Sequence, residues 1–206
     1  MTQQEILEVI KTATPNSALK DFLPIATTLV GIVVGFSLNY IRDLISTRKS
    51  EKLNCKLLKE ELDLALEDSI DLAKRLCESL DEKVEKGTIP WVYVSEMSNV
   101  CFNSFYPQII KSYTREQRRC IHEAYAQISF INTFSTKEIT NRDTTQDLPK
   151  AIHKLNDIFI ACLKLYRAHQ NLYLHNALWD ISIERYLRET KIQSKFYQSM
   201  VDREIK

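Results

Sequence analysis

Four histidines and five cysteines are the side chains with which this sequence could bind a metal or carry out nucleophilic or acid–base chemistry. Their spacing argues against most of it. His169 and His175, six positions apart, would point about 120° away from each other around a helix, a poor geometry for holding one ion. His122 and His153 have no histidine nearby. Cys55, Cys77, Cys101, Cys120 and Cys162 form no C-x-x-C pair, which argues against both a zinc module and a disulfide framework. They read as buried or half-buried thiols of a reducing compartment. Cys120 follows Arg118 and Arg119, the cationic setting in which a reactive thiolate would be sought. P-loop, G-x-G-x-x-G, G-x-S-x-G and H-E-x-x-H patterns are absent, so no cofactor and no metal are expected.

One short pattern remains. Arg115 and His122 are spaced R-x6-H, and in this the chain resembles the HEPN ribonucleases, whose signature is R-x(4–6)-H. The resemblance implies a helical, often dimeric protein. Two Arg–His pairs would meet at the dimer interface and cleave RNA by acid–base chemistry, with Arg115 and His122 as the catalytic pair. Thr114 and Gln117 have capping-box spacing, which places Arg115 at the first helical position and His122 two turns in. The plainer alternative is an arginine and a histidine on a helix surface.

The element that must position everything else is Phe22–Ile41, FLPIATTLVGIVVGFSLNYI, twenty residues without a charge between Asp21 and Arg42. At about 1.5 Å per residue such a helix matches the roughly 30 Å hydrocarbon core of a bilayer. The 21 residues before it carry Glu5, Glu8, Lys11, Lys20 and Asp21, not the basic region of a cleaved signal peptide, so a retained anchor is expected. Basic residues set its direction. Lys11 and Lys20 precede the span, whereas Arg42, Arg48, Lys49, Lys52, Lys56 and Lys59 follow it. This asymmetry predicts a cell inner-membrane protein with its N-terminus outside and its C-terminal domain in the cytoplasm. Within the span Gly31 and Gly35 form a G-x-x-x-G, extended at the same spacing by Thr27 and Asn39. Small residues so placed let helix backbones approach closely, and Thr or Asn can hydrogen-bond across the contact. Self-association through this face, or a chance pattern on a plain anchor, are both open.

Three domains follow: a short extracytoplasmic segment 1–21, a transmembrane helix 22–41 and a cytoplasmic helical domain 42–206. The fold class expected is all-α, the membrane helix leading into a cytoplasmic bundle of long antiparallel helices. Only three glycines occur, and two of them lie in the span, too few for a turn-rich β domain. Thr2 and Glu5 could cap a short amphipathic helix over 1–14, either a frayed terminus or one lying on the membrane surface. After the span, Leu58, Leu62, Leu66, Ile70, Ala73, Cys77, Leu80 and Val84 keep one face apolar, with Ser46, Thr47 and Ser50 as a possible bend. Glu60, Glu61, Asp63, Glu67, Asp68 and Asp71 read as a solvated face. Gly87, with Lys83 and Lys86 before it and Pro90 after it, ends that helix. Trp91–Val94 could be a short strand or a loop leading into a helix capped by Ser95. Pro107 interrupts that helix or starts another. Ile121, Ala124, Tyr125, Ile128, Ile131 and Phe134 predict a further helix, 135–149 a loop, and 150 onward a last helical region with a possible break near 176–180.

Formal net charge is +1, which excludes a global field for nucleic acid. The expected partners are the lipid bilayer, a second copy through the membrane helix and a cytoplasmic protein regulator, without direct nucleic-acid binding. The layout of a short outer N-terminus, one membrane helix, the basic stretch RKSEKLNCKLLKEEL and a helical domain resembles small bacterial inner-membrane proteins of phage defence, such as the membrane effectors of retron systems. The resemblance implies a non-enzymatic effector of abortive infection, held inactive by a regulatory partner and perturbing the membrane when released. A passive tether, presenting the acidic helix 53–84 to a partner, and the HEPN-like ribonuclease are the alternatives.

Overall fold

The structure, a computed structural model, describes residues 16–87, 89–90, 92–135, 148–174 and 181–204. The helix expected over 1–14 and the break expected near 176–180 lie outside the described residues. All regular structure among the described residues is helical. The helices are α1 Asn16–Lys86, α2 Val100–Ile109, α3 Arg115–Ser135, α4 Leu148–Leu174, α5 Ile183–Thr190 and α6 Lys195–Glu204, with a 3-10 turn at Ile110–Ser112. The chain divides into two units, Met1–Ser50 and Glu51–Lys206.

Helix α1 is uninterrupted at Ser46, Thr47 and Ser50, and the Thr47 hydroxyl bonds back to the Asp43 carbonyl at 2.8 Å. It stops where expected. Gly87 takes φ 76°, its N–H donates to the Lys83 carbonyl at 3.0 Å, and the Lys83 ammonium donates to the Gly87 carbonyl at 2.5 Å.

In the second unit the apolar stripe of α1 meets the core. Leu58, Leu62, Ala73, Cys77 and Leu80 are buried, Leu66 and Ile70 pack against the core, and Val84 is exposed. Ala65, Leu72 and Leu76 are also buried and widen that face. On α3, Ile121, Ala124, Tyr125, Ile128 and Ile131 are buried and Phe134 packs beside them. The Thr114–Gln117 box forms as its spacing predicts, Thr114 N–H to Gln117 Oε1 at 3.0 Å and Gln117 N–H to Thr114 Oγ1 at 3.2 Å. Helix α4 is buried over far more than one stripe, from Leu155, Ile158 and Phe159 through Cys162 and Leu165 to Ala168. At 100° per residue its buried positions cover an arc of roughly 220°, twice that of a surface helix. It is therefore the central helix. It runs antiparallel to α1: Lys59 lies over the Tyr173 ring, His169 meets Asp63, and Cys162 lies toward Cys77.

Residues 92–99 form a loop, not a strand, although Val92 and Val94 turn inward and Tyr93 outward as a strand would. Its polar groups bond to side chains instead of a neighbouring strand. Asn132 receives the Met97 N–H at 2.9 Å and donates to the Met97 carbonyl at 2.8 Å. Ser79 donates to the Pro90 carbonyl and Arg75 to that of Tyr93, each at 3.1 Å.

The acidic run of α1 departs from a simple solvated face. Glu67, Asp68 and Asp71 are exposed, but Glu61 is only 6 % exposed. Its carboxylate accepts from Ser98 Oγ at 2.9 Å, the Cys101 N–H at 2.8 Å, the Phe102 N–H at 3.3 Å and the Tyr125 hydroxyl at 2.6 Å. Ser95 does not cap α2; Asn99 is its N-cap position and bonds nothing with its side chain. Glu61 supplies the cap from another helix, satisfying N–H groups that have no intrahelical partner. Asp81 does the same for α6. It accepts from Ser194 Oγ and the Lys195 N–H at 3.0 Å and from the Phe196 N–H at 2.8 Å. Burial opposes ionisation of Glu61, yet its four donors together hold the carboxyl below the ordinary value.

Glu61→Ala should lower the unfolding free energy of the full chain by about 2–4 kcal/mol, because buried donors lose their acceptor; urea titration in detergent micelles measures it. A depressed folded pKa also means that Glu61 contributes fully above the ordinary carboxylate pKa and that this is lost as pH falls through the lower folded value. Glu61→Gln should therefore flatten the acid limb of the stability profile.

Candidate functional site

The surface that sets this molecule apart is the first-unit part of α1. Leu29, Val30, Ile32, Val33, Val34, Phe36, Leu38, Tyr40, Ile41, Leu44 and Ile45 are 40–73 % exposed, and at 100° per residue they surround the helix except for the sector that holds Gly31, Gly35 and Asn39. A soluble helix would bury such a surface against its own chain. Here none of it is buried, and α1 is long and apolar enough to cross a membrane. Val and Ile, poor helix formers in water, suit a helix in lipid, where the backbone must bond internally. The Ser37 hydroxyl donates within the helix to the Val33 carbonyl at 2.8 Å. The exposed apolar surface runs on to Ile45, three residues past Arg42.

Thr27, Gly31, Gly35 and Asn39 all lie on this exposed helix. A Cβ built at Gly31 or Gly35 would meet no atom within 4 Å. Among the described residues nothing packs against either glycine. Four apart, they form a flat notch on one side of the helix, the shape against which a second backbone can come close.

Arg115 and His122 are both exposed on α3. Seven residues apart, they share a face about 10.5 Å apart along the axis. His122 sits edge-on to the Phe102 ring at 5.7 Å and to the Tyr106 ring at 5.2 Å. No hydrogen bond joins Arg115 to His122 among the described residues.

The titratable groups drawn inward were not singled out by spacing. His169 Nε2 lies 2.6 Å from Asp63 Oδ1, joining α4 to α1, and its ring lies 4.8 Å from that of Tyr173, tilted by 60°. Arg167 of α4 pairs with Glu123 of α3. Glu61 carried a faint signal: it follows Leu58 by three and precedes Ala65 by four, on the edge of the buried stripe. Asp81, four after Cys77, carried the same one. His169 stood within its predicted apolar stripe, but its partner 106 residues away could not be read from spacing.

The thiols of Cys77 and Cys162 are buried, and those of Cys55, Cys101 and Cys120 half-buried. Burial pushes the Cys77 thiol up to about 12, and it raises Cys162, Cys101 and Cys120 as well. For Cys120, burial and the neighbouring Glu123 outweigh the arginines, so it lacks the depressed pKa of a reactive thiolate. Among the described residues no group of three or more His, Cys, Asp or Glu is placed to hold a metal ion. No protein-family model, no curated protein and no solved structure matches the chain.

At pH 8 in the folded full-length protein, Cys77 and Cys162 should react with Ellman's reagent only as fast as the protein unfolds. The double variant Cys77→Ser, Cys162→Ser should lack that slow phase.

Proposed function

We propose that this chain is a membrane-anchored, non-enzymatic effector. Its apolar helix 22–41 spans the cell inner membrane with the N-terminus outside, and the helical unit lies in the cytoplasm. The membrane helices associate through Thr27, Gly31, Gly35 and Asn39. The cytoplasmic unit binds a protein regulator, and its release lets the associated helices perturb the bilayer. The resemblance of the layout to retron-type effectors supports bacterial antiviral defence by abortive infection as the setting of that activity.

The observation that carries this reading is the bare glycine notch on a helix exposed on all sides. Lipid accounts for the apolar surface alone. Open space around both positions of the Gly-x-x-x-Gly leaves room for a second helix backbone to approach closely. The basic excess after the span supports the orientation.

Exposed Glu67, Asp68 and Asp71 favour a second reading, a tether that presents an acidic face to its partner. The two readings part on the span. In the effector, Gly31→Leu with Gly35→Leu should weaken helix association about tenfold, the loss of ~1–2 kcal/mol of helix packing. Induced expression should then no longer arrest growth or admit a membrane-impermeant dye, while the protein stays in the membrane fraction. Dye entry equal to wild type would refute the effector reading. A tether would keep its function when the span is exchanged for an unrelated one.

A further inference from the structure

Just beyond the span, the first unit carries a second, chemically distinct surface. Tyr40 is 66 % exposed, Leu44 and Ile45 are 40 % and 50 % exposed, and Arg42, Arg48 and Lys49 are exposed among them. None of the three cations has an ion pair with another described residue, and Asp43 is the one acid between Arg42 and Lys49. Two geometric facts bear on what these cations meet. Every Cα–Cβ bond of a helix tilts toward its N-terminus, which here is toward the span. Side chains of Arg48 and Lys49 therefore lean back toward the membrane. Moreover, the apolar surface continues to Ile45, only about 4.5 Å before Arg48 along the axis. With the hydrocarbon edge at Ile41, Arg42 lies at the headgroup boundary, and Arg48 and Lys49, about 10–12 Å further along the axis, reach back toward the headgroup layer along their stems. Tyr40 sits at the level where phenol rings prefer to lie.

We infer that Arg42, Arg48 and Lys49 form a clamp for the phosphodiester headgroups of anionic phospholipids. The inference rests on the membrane reading above and adds the lipid class it selects. The chemistry is charge complementarity: guanidinium groups offer paired donors to phosphate oxygens, and the lysine adds a point charge. A zwitterionic headgroup presents the same phosphate beside a fixed cation and attracts the clamp less. The clamp holds the helix at one depth and concentrates anionic lipid around it.

The test uses the full-length protein extracted into detergent doped with equal amounts of phosphatidylglycerol and phosphatidylcholine, with the lipids retained counted by native mass spectrometry. Wild type should retain phosphatidylglycerol preferentially, by about fivefold for each basic side chain engaged. The variant R42Q/R48Q/K49Q should bind both lipids equally, and raising salt should erode the wild-type preference. The control K74Q/K111Q/K154Q, exposed lysines of the second unit, should keep it. Equal retention of the two lipids by wild type, or an unchanged preference in the triple variant, overturns the clamp. Carbonate extraction of the same variants from cells separates the two levels of the argument. Wild type released by carbonate overturns the membrane reading itself, whereas carbonate resistance with no lipid preference overturns the clamp alone.

Discussion

The second unit hangs on the unmet N–H groups at the starts of two short helices. A helix begins with backbone donors that have no partner in the helix, and α2 has no cap of its own. Both α2 and α6 take carboxylates from α1, Glu61 for the first and Asp81 for the second. A negative charge at a helix start also opposes the positive end of its dipole. Each carboxylate thus does two things at once: it satisfies donors and fixes where a short helix lies along a long one. Glu61 also ties in α3 through Tyr125, so three elements meet at one side chain.

Around that frame the interior is closed by α4. Phe159 stacks on Tyr197 of α6 with ring centroids 4.1 Å apart and meets Tyr186 of α5 edge-on. Tyr197 completes its burial by donating to Asn156 at 3.0 Å. The last two helices are thereby keyed to α4 by aromatic rings and to α1 by Asp81. Between them the chain turns at Lys191, whose φ of 57° is left-handed, with the Ile192 N–H closing on the Leu187 carbonyl at 2.9 Å. A non-glycine residue holds that conformation because α5 and α6 are anchored on both sides.

The first unit obeys a different constraint. Among the described residues its apolar side chains from Leu29 to Ile45 are exposed, and a Cβ added at Gly31 or Gly35 would meet no atom within 4 Å. The same polypeptide therefore uses burial in one unit to build a core and carries in the other an exposed apolar helix long enough to cross a membrane. The proposed activity draws on that difference.

Periodicity and punctuation were enough to read the all-helical character, the helix stop at Gly87, the capping box at Thr114 and Gln117, and the apolar faces of α1 and α3. Each depends on contacts within a turn or two, so residue order specifies it directly. The charge-free stretch and its glycine spacing were legible for the same reason. Tertiary structure alone decided that Glu61 and Asp63 turn to internal partners while Asp68 and Asp71 face solvent. It also decided that α4 is central rather than one-sided, and that the chain breaks again at Lys191. Those outcomes depend on groups 23 to 115 residues apart, such as Tyr166 with Glu189 and Asp81 with Phe196. A carboxylate looks the same in sequence whether it will meet water or a helix start, and only the packed chain brings the orphan N–H groups within reach.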